Sequence, residues 1–250
     1  MVRTTLERPT LSDTTFGLRS YSLRFAEKPD QSDNCSLTAR KSVQDLMLNR
    51  SSSPDHIREI SAVLARAFVD DPFYTYIMPK EGTRLSQLGW WMTCMTRYGL
   101  EYGQVHTTPE KMTGAAIWLK PERPLVDSMR MARMGLIRAP LQLGIRGFVR
   151  MMKTANEWEH LHQQEASRHW YLMILGVDPT AQGQGIGGSL MRPVFEEADQ
   201  MGVPCYLETM TTENVAFYRK HGFDIVVEGT VGPKLPYWTM RRLPRLQQND

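Results

Sequence analysis

Hydrophobic positions in the first half of the chain recur at helical spacing. Ser53 and Pro54 suit a helix cap and a first helical turn, and apolar residues follow with a helical period. Asp71-Pro72 is expected to stop this helix, because the residue before a proline disfavours helical backbone. A second helix is predicted over 84–98, where leucine, tryptophan and methionine share one side.

Short apolar runs bounded by turn-forming residues predict up to seven strands. They are expected at 42–48, 103–108, 113–119, 170–177, 204–209, 223–228 and 237–241. Helices are predicted at 185–201 and 213–221, and Gly222 follows the second helix in the position that tolerates left-handed backbone. The last third of the chain therefore alternates strands with helices.

Two other kinds of segment flank or interrupt these elements. Residues 1–41 are polar and lack periodicity, which predicts a disordered tail, and 246–250 is expected to be a second tail around a domain over 42–245. The methionine- and arginine-rich segment 125–166 predicts a packed insertion of two or three helices. A membrane-surface helix is the alternative, and the adaptable methionines also suit part of an acceptor pocket.

Composition narrows the class of protein. With 250 residues, 41% of them hydrophobic, the chain is long enough for one domain with a substantial core. A net charge of +3 implies no broad commitment to nucleic acid. Three widely spaced cysteines predict neither a disulfide framework nor a metal site, and favour a reducing, cytoplasmic location. No apolar run is long enough to span a bilayer, so no membrane partner is expected.

The segment 175–190 carries the strongest chemical signal. It reads as an apolar strand, a short turn, a glycine-rich loop and the start of a helix. Bare backbone amides and the positive end of the helix dipole form an anion site suited to a pyrophosphate.

The glycines of this loop allow two interpretations. Gly183-x-Gly185-x-x-Gly188, with Glu208 about 20 residues later, matches a dinucleotide fingerprint and would indicate an NAD-dependent oxidoreductase. Only about forty residues follow Glu208, which is too few for a second mononucleotide-binding half.

The other interpretation depends on two motifs that occur in a fixed order. They are Val177-x-Pro179 followed by Gln182-x-x-Gly185-x-Gly187, and Asn214-x-x-Phe217-Tyr218-x-x-x-Gly222-Phe223. These motifs resemble the acyl-CoA pyrophosphate motif and the closing helix of the GNAT acetyltransferase superfamily, and the resemblance covers roughly 42–242. Within the superfamily, the runs 169–172, 175–177 and 205–209 look similar to puromycin N-acetyltransferase and its relatives.

The resemblance implies an α/β (α+β) GNAT fold. Its central sheet would be mixed and mostly antiparallel, with six to seven strands that splay between strands 4 and 5 (170–177 and 204–209) and helices on both faces. It implies acetyl-CoA as the acyl donor and no metal. The residues expected to contact this donor are Leu175, Val177, Gln182, Gly183, Gln184, Gly185, Ile186, Gly187, Gly188, Ser189, Asn214 and Tyr218.

Two residues are candidates for proton transfer. Tyr218 occupies the superfamily position for the acid that protects the departing CoA thiolate. Glu208, at the end of a strand, is the candidate base for an amine that must lose a proton before it attacks. His169 and Tyr171 are weaker alternatives, and His160-x-His162 is predicted on a solvated helix face because a third metal ligand is lacking.

The predicted activity is direct acetyl transfer, within a ternary complex, to the amine of a small molecule such as an antibiotic-like compound or secondary metabolite. A non-catalytic acyl-CoA-binding module is the alternative from another class. A monomer or homodimer is expected, with no nucleic-acid partner.

Overall fold

The computed structural model describes residues 53–109, 111–165, 168–232 and 235–245, without the side chain of residue 164. The predicted N-terminal tail (1–41), the predicted strand over 42–48 and the predicted tail over 246–250 lie outside the described residues.

Three helices precede the first described strand. Helix α1 (Pro54–Ala67) begins as predicted, because the Ser53 side chain accepts the amide of His56 at 3.2 Å. Helix α2 (Pro72–Ile77) was not predicted. Helix α3 (Glu81–Tyr102) is longer at both ends than the predicted helix over 84–98.

Asp71-Pro72 begins a helix, so the prediction that this pair stops one was wrong. Helix α1 already ends at Ala67. The Asp71 carboxylate accepts the amide of Phe73 at 3.0 Å and that of Tyr74 at 3.4 Å, and caps α2. Proline suits the first helical position because its fixed φ is already helical and its missing N–H is not needed there.

Six described strands form one sheet. They are β1 (Gly103–Thr107), β2 (Gly114–Leu119), β3 (Trp170–Val177), β4 (Cys205–Thr209), β5 (Asp224–Val231) and β6 (Leu235–Arg242). Their order is β1-β2-β3-β4-β6-β5, and β3 with β4 is the one parallel pair among them. The predicted mixed, mostly antiparallel sheet is confirmed.

Strands β3 and β4 part soon after they meet. Trp170 pairs with Cys205 and Tyr171 with Tyr206, and the ladder goes no further. Beyond these two pairs β3 continues to Val177, where it remains bonded to β2 only. Because β3 and β4 are the predicted fourth and fifth strands, the predicted splay is confirmed.

Helices cover both faces of this sheet. Ala115, Ile117 and Leu119 of β2 pack into one core with α1, α2 and α3, whereas Ala116 and Trp118 enter a second core on the other face. Helices α6 (Ile186–Met201) and α7 (Thr212–Lys220) pack in the second core. Every residue of β2 is buried, as its unbroken apolar run predicts.

The segment between β2 and β3 is the predicted helical insertion. It contains α4 (Ser128–Arg133), a 3₁₀ turn (Leu136–Arg138) and α5 (Ala139–Gln164), which breaks at Gly144 with φ 67° and ψ 165°. Buried methionines attach it to the first core, while Leu141 and Ile145 are 87% and 71% exposed. Within the described residues, no helix is long and apolar enough to cross a bilayer.

Candidate active site

A cleft of about 1320 Å³ opens where β3 and β4 part. The end of β3, the glycine loop and the start of α6 line one half, together with α7. The other half is lined by α2, α4 and α5, with part of α3. The cleft therefore runs from a backbone-rich end to a side-chain-rich end, across the C-terminal ends of two parallel strands.

The edge of β3 presents backbone groups to this cleft. The amide of Asp178 donates to the carbonyl of Thr113 at 2.7 Å, on the side of β2. Because successive residues of a strand turn their N–H and C=O groups to opposite sides, those of Leu175 and Val177 face the gap. The carbonyl of Val177 accepts the side-chain amide of Gln182 at 3.2 Å, which ties the loop to the strand.

The glycine loop leaves a helix start open. Residues 182–185 are exposed, and Gly183 and Gly185 have φ of 78° and 76°. A Cβ atom on Gly187 would lie 3.0 Å from Cζ of Phe217, so α7 packs directly against the first turn of α6. Exposed amides at a helix N-terminus fit a pyrophosphate, and the backbone edge beside them fits the amide-bearing arm of CoA.

Asp178 holds the turn that joins strand and loop. Its carboxylate accepts the amide and hydroxyl of Thr180 at 3.1 and 2.7 Å, and the Arg66 guanidinium at 2.7 Å. These hydrogen bonds, that of the Thr180 hydroxyl first, lower the pKa of Asp178 to about 2. Arg66 is on α1, so the ion pair attaches the loop entrance to the first helix.

Tyr218 lies on α7 and lines the cleft, with 8% of its surface exposed. Burial and the nearby Asp71 charge raise the pKa of its phenol, so Tyr218 keeps its proton at neutral pH. Asn214 is exposed in the first turn of α7, which Thr211 caps by accepting the Asn214 amide at 3.2 Å. The structure thus brings both predicted α7 residues to the wall of the cleft.

Glu208 is a buried carboxylate on β4 that also lines the cleft. Its side chain is 9% exposed, and among the described residues Oε1 has no hydrogen-bond partner. Burial raises the pKa of Glu208 to about 7, and the nearby hydroxyls of Tyr171 and Tyr206 offset part of this shift. A carboxyl group with a pKa near 7 suits proton transfer at neutral pH.

His162 is buried, so the prediction that it lies on a solvated face was wrong. Its Nδ1 lies 3.9 Å from Oε1 of Glu208, and its Nε2 lies 2.7 Å from Nε2 of His169. Residues two apart on a helix point about 200° apart, so His160 faces solvent while His162 faces the sheet. Burial, and then the neighbouring His169, lower the pKa of His162 to about 3.

Two residues of the site were missed from the sequence. Asp71 has a pKa raised to about 6 by burial, and its charge acts on Tyr218. Its signal was present, because Asp-Pro is also a cap followed by a favoured first helical residue. His162 reaches Glu208 only through the packing of α5, and no local pattern marks it. The described residues contain no group of three or more His, Cys, Asp or Glu placed to hold a metal ion.

Comparisons with known proteins identify the domain. Residues 141–225 match the family model for the acetyltransferase (GNAT) domain. An uncharacterized N-acetyltransferase from Schizosaccharomyces pombe is 29% identical over 175 residues, which are 66% of this chain and 70% of that protein. The chain is an N-acetyltransferase, and the domain that carries this activity is of the GNAT type.

Solved structures with low sequence identity share the fold. A protein from Corynebacterium glutamicum, described as histone acetyltransferase HPA2 and related acetyltransferase, is 19% identical with a TM-score of 0.55, over 79% of this chain and 96% of that chain. Arylalkylamine N-acetyltransferase 2 from Aedes aegypti is 14% identical with a TM-score of 0.50, over 77% of this chain and 96% of that chain. These similarities show the GNAT arrangement of strands and helices.

Proposed function

We propose that the protein transfers an acetyl group from acetyl-CoA directly to the amine of a small molecule. One observation carries the proposal: the gap between β3 and β4 joins an exposed glycine loop to a buried carboxylate that has no hydrogen-bond partner among the described residues. The loop fits the donor, and Glu208 fits the proton that the amine must lose.

The donor would lie along β3. The backbone of Leu175 and Val177 would pair with the amides of the CoA arm, because these groups face the gap. The loop and first turn of α6 would hold the pyrophosphate, through Gln182, Gly183, Gln184, Gly185, Ile186, Gly187, Gly188 and Ser189. Asn214 would contact the donor from the first turn of α7.

Three groups would then act on the reacting atoms. Glu208 accepts the proton of the attacking amine, directly or through a water molecule. The amide of Val177 donates to the thioester oxygen as negative charge develops there. Tyr218 keeps its proton at neutral pH and donates it to the sulfur of the departing CoA as the new C–N bond forms and the C–S bond breaks.

The small-molecule acceptor is supported by the enclosure of the cleft. Helices α4 and α5 wall the side beyond Glu208, which suits a compact amine better than an extended chain. The Aedes aegypti relative in fold is named for arylalkylamines, which agrees with an amine of this size. An antibiotic-like acceptor of the puromycin N-acetyltransferase kind is supported only by the sequence runs noted above, and a cytoplasmic location by the thiols of the buried, free Cys94 and Cys205.

Thiol release from acetyl-CoA in the presence of a panel of amines tests this proposal. We expect product with wild type and a 10²- to 10⁴-fold lower kcat with Tyr218→Phe, on the order expected for loss of a general acid. Calorimetry is expected to give similar CoA affinity for both proteins and weak or no binding of NADH. If CoA binds but no amine yields product, the domain is an acyl-CoA-binding module instead.

A further inference from the structure

Aromatic and methionine side chains wall the half of the cleft beyond Glu208. The ring of Phe73 lies 4.6 Å from that of Trp158 and 6.4 Å from that of Trp91, measured between centroids. Met151 and Met131, from α5 and α4, are 4% and 5% exposed and line the same half. This wall is adaptable and apolar, so it favours an apolar ligand body of varied shape.

The charges in this half are negative. Asp71, Glu159 and Glu208 all line the cleft. Among the described lining residues, Arg66 is the one Arg or Lys, and it lies 2.7 Å from Asp178 at the loop end. His162 is neutral at neutral pH because its pKa is lowered. A cationic amine is therefore attracted to this half, and an anionic group on the same ligand is repelled.

The carboxylate and the aromatic wall lie close together. Trp158 and His162 are four residues apart on α5 and share a face, so about one helical turn, on the order of 5 Å, separates them. His162 contacts Glu208, so an ammonium at Glu208 lies roughly that far from Trp158. A short link between amine and apolar body spans this distance.

We infer that the acceptor is a compact monoamine with one apolar, aromatic-sized body a few bonds from its nitrogen. This rests on the proposed function and narrows its substrate class. Polyamines and peptides fit less well, because a second charged or strongly polar group would lose its hydration against the wall of Phe73, Trp91 and Trp158.

Three probe amines test this class with acetyl-CoA as donor. They are 2-phenylethylamine, agmatine and a short alanine peptide with a free α-amine, compared by kcat/KM. We expect 2-phenylethylamine to exceed each of the others by roughly tenfold or more, the discrimination typical of burying or stranding one such group. Equal or better turnover of agmatine or the peptide overturns the inference but leaves acetyl transfer intact. Turnover of no amine, with CoA binding retained, overturns both.

A matched pair of variants tests the wall itself. Met152 lines the mouth of the cleft and is 49% exposed, whereas Val149 on the same helix is 45% exposed and is not among the lining residues. Met152→Glu places a carboxylate beside the apolar wall, so we expect the agmatine to phenylethylamine ratio of kcat/KM to rise at least fivefold. Val149→Glu is expected to change this ratio by less than about twofold. No change with Met152→Glu, or equal change with both, contradicts the inference.

Discussion

His162 Nδ1 lies 3.9 Å from Oε1 of Glu208, and both side chains are buried. Burial makes the imidazole neutral, because it lowers the pKa of His162 to about 3. A neutral imidazole does not offset the Glu208 charge, and the pKa of Glu208 therefore stays raised, to about 7. Glu208 changes its protonation near neutral pH, which leads to two predictions.

The first prediction concerns the pH dependence of activity. Glu208 acts as a base only when ionised, so kcat/KM is expected to fall as pH drops below about 7. In a plot of log kcat/KM against pH, the slope is expected to decrease by one unit as pH rises through about 7. The ionisation of the free amine changes the slope only near its own pKa of roughly 10.

Glu208→Gln is the control for this profile. It is expected to lower kcat/KM by 10²- to 10⁴-fold and to remove the change of slope near pH 7. If the change of slope persists in Glu208→Gln, another group is responsible for it. Asp71 is then the next to test, because its pKa is raised to about 6.

The second prediction concerns stability. Because the folded pKa of Glu208 is raised from 4.5 to about 7, its protonated form favours folding below about pH 4.5, and this contribution is lost as pH rises through 7. The free energy of unfolding is expected to fall by up to about 3 kcal/mol over this interval. Urea unfolding at pH 5 and pH 8 measures the decrease, which is expected to be smaller in Glu208→Gln; an equal decrease in both proteins would contradict the assignment.

The third prediction separates the glycine loop from its backbone strain. Gly185 before α6 and Gly202 after it have φ of 76° and 63°, and no atom lies within 4 Å of a Cβ on either. Alanine at each position is expected to cost about 1 kcal/mol of stability, because both φ values disfavour a side chain. Only Gly185→Ala is expected to raise the KM for acetyl-CoA, by roughly tenfold, because only Gly185 lines the cleft. Equal KM values in the two variants would exclude the loop as the donor site.

The fourth prediction concerns the anchor of that loop. Asp178→Asn removes the ion pair with Arg66 and weakens the cap on Thr180, so the free energy of unfolding is expected to fall by about 1–3 kcal/mol at pH 7. Asp224→Asn, on an exposed strand position, is the matched control, with an expected change within about 0.5 kcal/mol.

The effect of Asp178 also has a pH signature. Its folded pKa is lowered from 3.8 to about 2, so its stabilising contribution is present above pH 4 and is lost as pH falls toward 2. The difference in unfolding free energy between wild type and Asp178→Asn is therefore expected to shrink between pH 5 and pH 2. A difference that does not depend on pH would mean that the ionised carboxylate is not its source.

Local signals predicted the half of the site that is built from backbone. Ser53-Pro54 and the glycine loop determine their helix starts through hydrogen bonds within a few residues, so their patterns are readable. The order of the last strands and helices was predictable for the same reason. Gly222 takes φ of 86° after α7, as its position predicts.

The half of the site that depends on side-chain packing was not predictable. Whether Asp71-Pro72 ends one helix or begins another depends on how the next residues pack, because the same two residues serve both purposes. The contact between His162 and Glu208 joins an insertion helix to a strand more than forty residues away. Such a contact is decided by how α5 packs on the sheet, and the polar residues around His162 indicated solvent instead.

The early parting of β3 and β4 divides the sheet into two three-stranded halves, β1-β2-β3 and β4-β6-β5, that share two residue pairs at one end. Any molecule that occupies the opening adds bridging contacts where the main chain provides none. Each half is thus free to loosen by itself in the empty protein, and amide hydrogen exchange would register them as separate cooperative units. A bound donor would couple them, which makes the substrate a structural member of the sheet.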